Sequence, residues 1–136
     1  MIPALLLLTA ASTAAPTGDP CKGADTISMA QCMDGKIERA TEQLRVYRTR
    51  AINRFEEAHD PATAKAIENA GLAFDAYRQI YCDAVYQQWV GGTIRFAMRQ
   101  SCELRLIDEE THQIWRDFLT YADSTLPLLP EPKPTK

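Results

Sequence analysis

The sequence lacks the residue patterns that mark most small enzymes and metal-binding domains. It has 2 histidines and 4 cysteines, and it contains no C-x-x-C pair, no H-E-x-x-H motif and no glycine-rich phosphate loop. The missing C-x-x-C argues against a zinc ribbon and a thiol redox site, and the other absences argue against a zinc protease and a nucleotide site. His59 and His112 have no neighbouring residues suited to bind a metal or activate a nucleophile. We therefore expect a protein that is not an enzyme and holds no metal or cofactor.

Clustered positive charge and long apolar runs are also missing. The 15 basic and 18 acidic residues give a formal net charge of -3, whereas nucleic acids and anionic membranes attract clustered Lys and Arg. No apolar run reaches the roughly 20 residues that a bilayer-spanning helix needs. We expect neither a nucleic-acid partner nor membrane insertion of the mature chain.

The first 14 residues have the composition of a secretory signal peptide. The apolar run Leu5–Leu8 is followed by small residues, and cleavage is predicted after Ala14. The residues before Cys21, Gly18–Pro20, do not form a lipid-attachment motif, so we expect a periplasmic or secreted protein. Because no Lys or Arg precedes the apolar run, two alternatives stay open. They are an apolar N-terminus of a cytosolic protein and a start codon assigned a few residues late.

Three later stretches have the three-and-four spacing of amphipathic helices. After an irregular lead-in over residues 15–25, the first helix is predicted to be capped by Asp25 or Thr26 and to run to about Ala58. The second begins at Asp60-Pro61, because Asp is a favoured N-cap and Pro a favoured first helical residue. The predicted inward stripes are Met33, Ile37, Ala40, Leu44, Tyr47, Ala51 and Phe55 in the first helix, and Ile67, Ala70, Phe74, Tyr77, Tyr81 and Val85 in the second.

A double glycine separates the second helix from the third. We expect positive φ angles at Gly91 and Gly92 and a helix cap from Thr93. The third helix is predicted to reach about Ala122, and the proline-rich tail over residues 123–136 is predicted to be extended and flexible. The third stripe comprises Phe96, Leu104, Ile107, Thr111, Ile114, Phe118 and Ala122, widened by Trp115 and Leu119.

These elements predict an all-α, up-down three-helix bundle that forms one helical domain over residues 26–122. Short connections make consecutive helices antiparallel neighbours. A break in the third helix near Arg99–Cys102 would give a four-helix bundle, an alternative that stays open.

The even number of cysteines in an exported domain predicts two disulfides. In an antiparallel hairpin centred on Gly92, Cys82 and Cys102 lie ten residues on either side of the turn and come level. The remaining pair, Cys21 and Cys32, would tie the lead-in to the first helix. Pairing of Cys32 with Cys82 stays open, because a hairpin centred near residue 59 places Cys32 opposite residue 86.

Aromatic residues of the second helix divide into two groups. The helical spacing of Phe74, Tyr77 and Tyr81 predicts core packing, whereas Tyr86 and Trp89 lie beside the turn and suit exposed anchors for a protein partner. Arg78, next to Tyr77, is predicted either to reach the surface or to pair with a carboxylate of another helix. The candidate partner-binding residues are Tyr86, Trp89, Gly91, Gly92, Thr93 and Ile94.

The stretch over residues 70–102 resembles the lysozyme inhibitor LprI-like family of small exported bacterial proteins. The matching residues are Ala70, Phe74, Tyr77, Arg78 and Cys82, then Gly91, Gly92, Thr93 and Ile94, then Cys102, together with Met29, Ala30, Gln31, Cys32, Leu44 and Tyr47 upstream. The resemblance covers roughly residues 21 to 120. It implies a helical, disulfide-bonded protein of the cell envelope, with Tyr77-Arg78 as a structural motif and lysozyme as a partner.

Two functions follow as expectations. One is inhibition of lysozyme by steric blocking of its sugar-binding cleft with the loop around Trp89–Ile94, assisted by acidic residues against a basic enzyme. The other is a non-inhibitory accessory module that binds another envelope protein. The sequence leaves the partner and the oligomeric state open.

Overall fold

The computed structural model describes Cys21, Gly23 and residues 25–136. The predicted signal peptide over residues 1–14 and most of the predicted lead-in lie outside the described residues. The described part forms helices α1 (Thr26–Glu57), α2 (Pro61–Gln88) and α3 (Arg95–Ile114), and α3 continues into a π-helical turn over Trp115–Leu119. The predicted all-α three-helix bundle is confirmed. Because α3 is continuous through Arg99–Cys102, the four-helix alternative is wrong.

Local sequence signals set the start of α1. The carboxylate of Asp25 accepts hydrogen bonds from the backbone N–H groups of Ile27 at 3.0 Å and Ser28 at 3.1 Å, which satisfies two of the donors that a helix start leaves unpaired. The Ser28 hydroxyl also donates to this carboxylate at 2.6 Å and is the largest cause of the lowered pKa of the Asp25 carboxyl, to which the backbone bonds add. The helix buries Ala40, Leu44 and Tyr47 on the predicted stripe.

The corner between α1 and α2 also follows the sequence. His59 takes a φ of 60°, the left-handed conformation in which helices often end. Asp60 then caps α2 by accepting a hydrogen bond from the Thr63 N–H at 3.0 Å, and Pro61 is the first helical residue. The predicted Asp60-Pro61 boundary is confirmed.

The inward stripe of α2 differs from the predicted one. The helix buries Ala64, Ile67, Gly71 and Cys82, and Ala70 is exposed, so its assignment to the stripe is wrong. A Cβ atom at position 71 would lie 3.3 Å from Cζ of Arg48, a long α1 side chain that crosses this position. Glycine therefore lets α2 approach the Arg48 side chain closely.

The third helix begins and ends at other residues than predicted. It starts at Arg95 without a side-chain cap, so the predicted cap from Thr93 is wrong. Phe96 is mostly exposed and is not part of the inward stripe. Arg54 of α1 donates hydrogen bonds to the carbonyl oxygens of Phe118 and Thr120, where helical structure stops. Ala122 consequently lies beyond the last helical turn and is exposed.

Both predicted disulfides are present. Cys21 pairs with Cys32 and Cys82 pairs with Cys102, with Cα–Cα separations of 5.6 and 5.7 Å. The alternative pairing of Cys32 with Cys82 is wrong. The second disulfide joins α2 to α3 below their turn and is packed beside Leu106.

The core and the tail meet at the end of the bundle where α3 stops. Leu44, Ile107 and Leu119 belong to the main buried cluster, and Leu128 and Leu129 of the tail pack against that cluster. We predicted a flexible tail from its prolines; the structure instead places residues 128–135 against α1 and α3.

Candidate functional site

The turn between α2 and α3 forms one end of the bundle, which we call the tip (residues 86–96). Trp89 ends α2, and its carbonyl oxygen accepts a hydrogen bond from the Gly92 N–H at 2.9 Å. Trp89, Val90 and Ile94 are all exposed by more than a third of their surface. The predicted exposure of Trp89 is confirmed, whereas Tyr86 is only partly exposed.

Arg95 fixes the side chains at the base of the tip. Its Nη1 donates to the carbonyl oxygen of Val90 at 2.9 Å, and its guanidinium carbon lies 5.7 Å from the ring centre of Tyr86 and 5.3 Å from that of Phe96. The two rings meet edge to face at 5.3 Å. These contacts hold the aromatic side chains in one arrangement, so the tip presents a preorganised surface.

The two glycines of the tip do not serve the turn as predicted. Neither Gly91 nor Gly92 has a positive φ. A Cβ atom at position 91 would meet no atom within 4 Å. The turn geometry therefore does not require glycine at position 91.

Tyr77 and Tyr81 lie on the surface, and their predicted role in the core is wrong. Tyr77 is 50% exposed and Tyr81 is 43% exposed, and their rings contact each other with centres 5.4 Å apart. The predicted stripe followed the correct spacing but was rotated on the helix, because α2 carries apolar residues on more than one side. Of the predicted aromatic core group, Phe74 alone packs partly buried against both buried clusters.

The outward side of α2 carries no charged residue over most of its length. We define the outer face of α2 as the exposed line at three-and-four spacing comprising Ala62, Ala66, Asn69, Ala73, Ala76, Ile80, Ala84 and Gln87. Ile80, at its centre, is 73% exposed, and Leu72 beside it is 65% exposed. This face was missed by sequence reasoning. The signal was present, since Ile80 and Leu72 fit neither the predicted nor the observed inward stripe.

Arg78 and Arg48 show two ways in which the bundle places a guanidinium. Arg78 is partly exposed and makes no ion pair within the described part of the chain, in keeping with the surface-directed alternative. Arg48 instead joins all three helices, with Nη1 at 3.0 Å from Asp75 of α2 and Nη2 at 3.4 Å from Glu110 of α3. Burial raises the pKa of the Glu110 carboxyl, and the charge of Arg48 opposes that rise. This cluster is structural, since it lies away from the tip.

The described residues contain no group of three or more His, Cys, Asp and Glu side chains arranged to hold a metal ion. Among the same residues, no helix combines the length and the apolar composition that crossing a membrane requires. The tip and the outer face of α2 together form the candidate site.

Comparison with known proteins supplies the family. The model of the family "Lysozyme inhibitor LprI" matches residues 19–114, which is well over half of the chain. This range contains all four cysteines, the three helices and the tip. No curated protein and no solved structure matches the sequence. The chain belongs to the lysozyme inhibitor LprI family.

Proposed function

We propose that this protein acts in the periplasm or outside the cell and inhibits lysozyme by binding it through the tip and the outer face of α2. Its family is an inhibitor family, and the proposal includes no catalytic role for this chain. Its two disulfides suit an oxidising compartment outside the cytoplasm.

One observation carries the location of the binding surface. Twelve large hydrophobic residues are substantially exposed in the described part of the chain, and eight of them fall between positions 72 and 96. They are Leu72, Tyr77, Ile80, Tyr81, Trp89, Val90, Ile94 and Phe96. Single exposed hydrophobic residues are common, whereas a contiguous patch marks an interaction surface. Leu72 and Tyr81 lie on opposite sides of α2, because nine residues make about two and a half helical turns. The surface we propose therefore consists of Ile80 on the outer face and Trp89, Val90 and Ile94 at the tip. Aromatic anchors such as Trp and Tyr supply most of the binding energy in many interfaces.

The glycine at position 91 supports the same surface. Since neither the φ angle nor local packing requires glycine there, its small size is best explained by a neighbouring molecule that approaches the backbone. Gly91→Ala should consequently leave folding unchanged and weaken partner binding.

The charges near the tip favour steric blocking. Between positions 84 and 98 the only charged residue is Arg95. The nearest acidic residues, Asp83 and Glu103, are already paired with Arg99. Glycosidases work with a pair of carboxyl groups at the cleft, so a tip without acidic residues enters such a cleft without charge repulsion. The net charge of -3 can only steer a basic enzyme toward the protein from a distance.

Turbidity assays of cell-wall lysis test this function. The purified, disulfide-bonded protein should slow lysis by lysozyme, and Trp89→Ala should weaken inhibition by about 2 kcal/mol or more, which is roughly thirtyfold in affinity. Val46→Asp is the matched control, because Val46 is also an exposed apolar residue but lies on α1. If a high molar excess of the protein left lysis by several types of lysozyme unchanged, the proposal would be wrong.

The length of the exposed surface favours a second candidate. The outer face runs from Ala62 to Gln87 along most of α2, whose 28 residues span about 42 Å. A long, uncharged helix face suits packing against a helix of another protein as well as insertion into a cleft. Cross-linking from position 89 in a periplasmic extract distinguishes the two candidates. Capture of one endogenous envelope protein, combined with no effect on lysis, would favour the accessory module.

A further inference from the structure

The C-terminal tail follows a defined course along the bundle. The Leu128 N–H donates to the carbonyl oxygen of Leu119 at 2.9 Å, and Leu128 and Leu129 pack against the main core. Pro132 is buried, although it is only four residues from the C-terminus. The tail therefore lies in a groove between α1 and α3, which we call the tail groove.

The prolines of the tail determine its backbone shape and the hydrogen-bonding groups that it presents. Residues 127, 130, 132 and 134 are prolines. Each proline fixes its own φ and favours an extended conformation of the preceding residue. The tail bends at Leu128 and Leu129 and has no further bend from Pro130 to Lys136, which suits a polyproline-like course over those residues. Proline also lacks an N–H group, which leaves carbonyl oxygens as the principal polar groups of such a peptide. A site that recognises it must present hydrogen-bond donors on apolar walls.

The tail groove presents two such donors. The Tyr47 hydroxyl donates to the carbonyl oxygen of Pro130 at 2.7 Å, and the Trp115 indole N–H donates to that of Leu129 at 3.0 Å. Tyr47 is only 6% exposed, so its hydroxyl reaches the tail from within the core. Aromatic donors on an apolar surface are the means by which other protein grooves bind proline-rich peptides.

Polar contacts between the groove and the tail continue toward the C-terminus. The carboxylate of Asp108 accepts hydrogen bonds from the N–H and the hydroxyl of Thr135, both at 2.9 Å. Glu131 lies 3.1 Å from Nε2 of His112. The groove thus contacts backbone and side chains of the tail over eight residues, from Leu128 to Thr135.

The space between α1 and α3 also extends beyond the tail. A cavity of about 1230 Å³ lies beside the last residues of the tail, with Met33 and Lys36 of α1 and Leu104 of α3 in its walls. The cavity adjoins the tail groove along residues 132–136 of the tail.

We propose that the tail groove is a binding site for an extended, proline-rich peptide, and that the chain's own residues 127–135 occupy it intramolecularly. The donors Tyr47 and Trp115 read backbone carbonyl oxygens, which every proline-rich segment carries. Because every peptide carries such oxygens, selection for proline-rich segments rests on the backbone shape that proline fixes. The covalently attached tail occupies the site because its local concentration is high. This site lies away from the tip, and the proposal does not rest on lysozyme binding.

The test uses the full-length protein with its tail displaced. In the variant L128D/L129D, two charged side chains replace the apolar contacts of the tail, while every groove residue is retained. The probe is a fluorescein-labelled synthetic peptide of residues 124–136, and fluorescence anisotropy measures its binding. We expect saturable binding to the variant and at least about tenfold weaker binding to the wild-type protein, whose groove is filled.

Two controls make the test specific. Adding Trp115→Phe to the variant should weaken peptide binding about three- to tenfold, because one hydrogen bond to the peptide is lost. A peptide in which alanine replaces Pro130, Pro132 and Pro134 should bind more weakly than the native peptide. Equal binding to wild type and variant, no saturable binding to a folded variant, or equal binding of the alanine peptide would each overturn the proposal.

A second measurement applies if the double variant does not fold. Amide hydrogen exchange at Leu128, whose N–H donates to Leu119, should be several times faster in Tyr47→Phe than in the wild-type protein, since the tail loses one of its donors. Tyr77→Phe is the matched control, because that tyrosine lies on the surface of α2. Equal exchange rates in the wild type and both variants would contradict a groove that holds the tail through Tyr47.

Discussion

The two sides of the bundle differ in what covers their apolar residues. Between α1 and α3, the tail lies on the bundle and shields the main core. Along α2, Leu72 and Ile80 are exposed, and no segment of the described chain covers them. The difference arises because the chain leaves α3 at Leu119 and returns along α1 and α3, so the tail cannot reach the outward side of α2. An apolar residue on the first side stabilises the fold, whereas one on the second is available to another molecule.

The largest difference between the two sides is expected for a pair of leucines, one on each side. Leu119→Ala should lower the free energy of unfolding by about 3 kcal/mol, because Leu119 is fully buried and its loss leaves a cavity. Leu72→Ala should change it by less than about 0.5 kcal/mol, because Leu72 is 65% exposed. Urea unfolding of both variants measures the difference. Similar losses for the two would mean that α2 has a covering segment in solution.

The two tryptophans sharpen the comparison with a smaller expected effect. Trp115→Phe should cost about 1 kcal/mol of folding free energy, since the indole N–H would no longer bond to the carbonyl oxygen of Leu129. Trp89→Phe should stay within about 0.5 kcal/mol, because Trp89 lies at the exposed tip. Thermal unfolding of the two single-tryptophan proteins, monitored by the remaining tryptophan, checks this order. The reverse order would show that the tip, rather than the tail, is the part more tightly joined to the fold.

Two helical glycines extend the comparison to backbone positions. Gly35→Ala should stabilise the protein by up to about 1 kcal/mol, because alanine favours the helix and the new Cβ would meet only the flexible end of Arg39 at 3.5 Å. Gly71→Ala should gain less or lose stability, because its Cβ would lie 3.3 Å from Arg48, which is held by Asp75 and Glu110. The urea midpoints of the two variants, each compared with that of the wild type, measure the change in stability. An equal gain at both positions would show that Arg48 moves aside freely.

The smallest expected effect is a pH dependence at the junction of the three helices. Burial raises the pKa of Glu110 above its ordinary value of 4.5, so this group favours folding when it is protonated. That contribution is complete at low pH and is lost as pH rises through the folded-state pKa. The free energy of unfolding of Glu110→Gln, relative to wild type, should therefore increase from about pH 4 to about pH 7. Urea unfolding at both pH values measures it, and a constant difference would contradict the stated effect of burial.

The exposed tip could be predicted in part from the sequence. Trp89 lies beside a double glycine, and the position next to a turn was enough to predict its exposure. Tyr77 and Tyr81 could not be placed in the same way, because their spacing fits a core stripe as well as it fits a surface. On a helix that is apolar on two sides, the spacing of apolar residues does not say which of them are buried.

The sequence by itself determined the local features of this protein. Asp25 and Asp60-Pro61 determined where helices begin, since capping depends on residues only a few positions apart. The positions of Cys82 and Cys102 about Gly92 favoured their pairing, because a hairpin brings residues at equal distances from its turn together, and the structure excluded the alternative of Cys32 with Cys82. The tertiary structure alone decided which side of α2 faces inward and where the proline-rich tail lies. Both depend on contacts with distant residues, among them the approach of Arg48 to Gly71 and the donors that Tyr47 and Trp115 present to the tail.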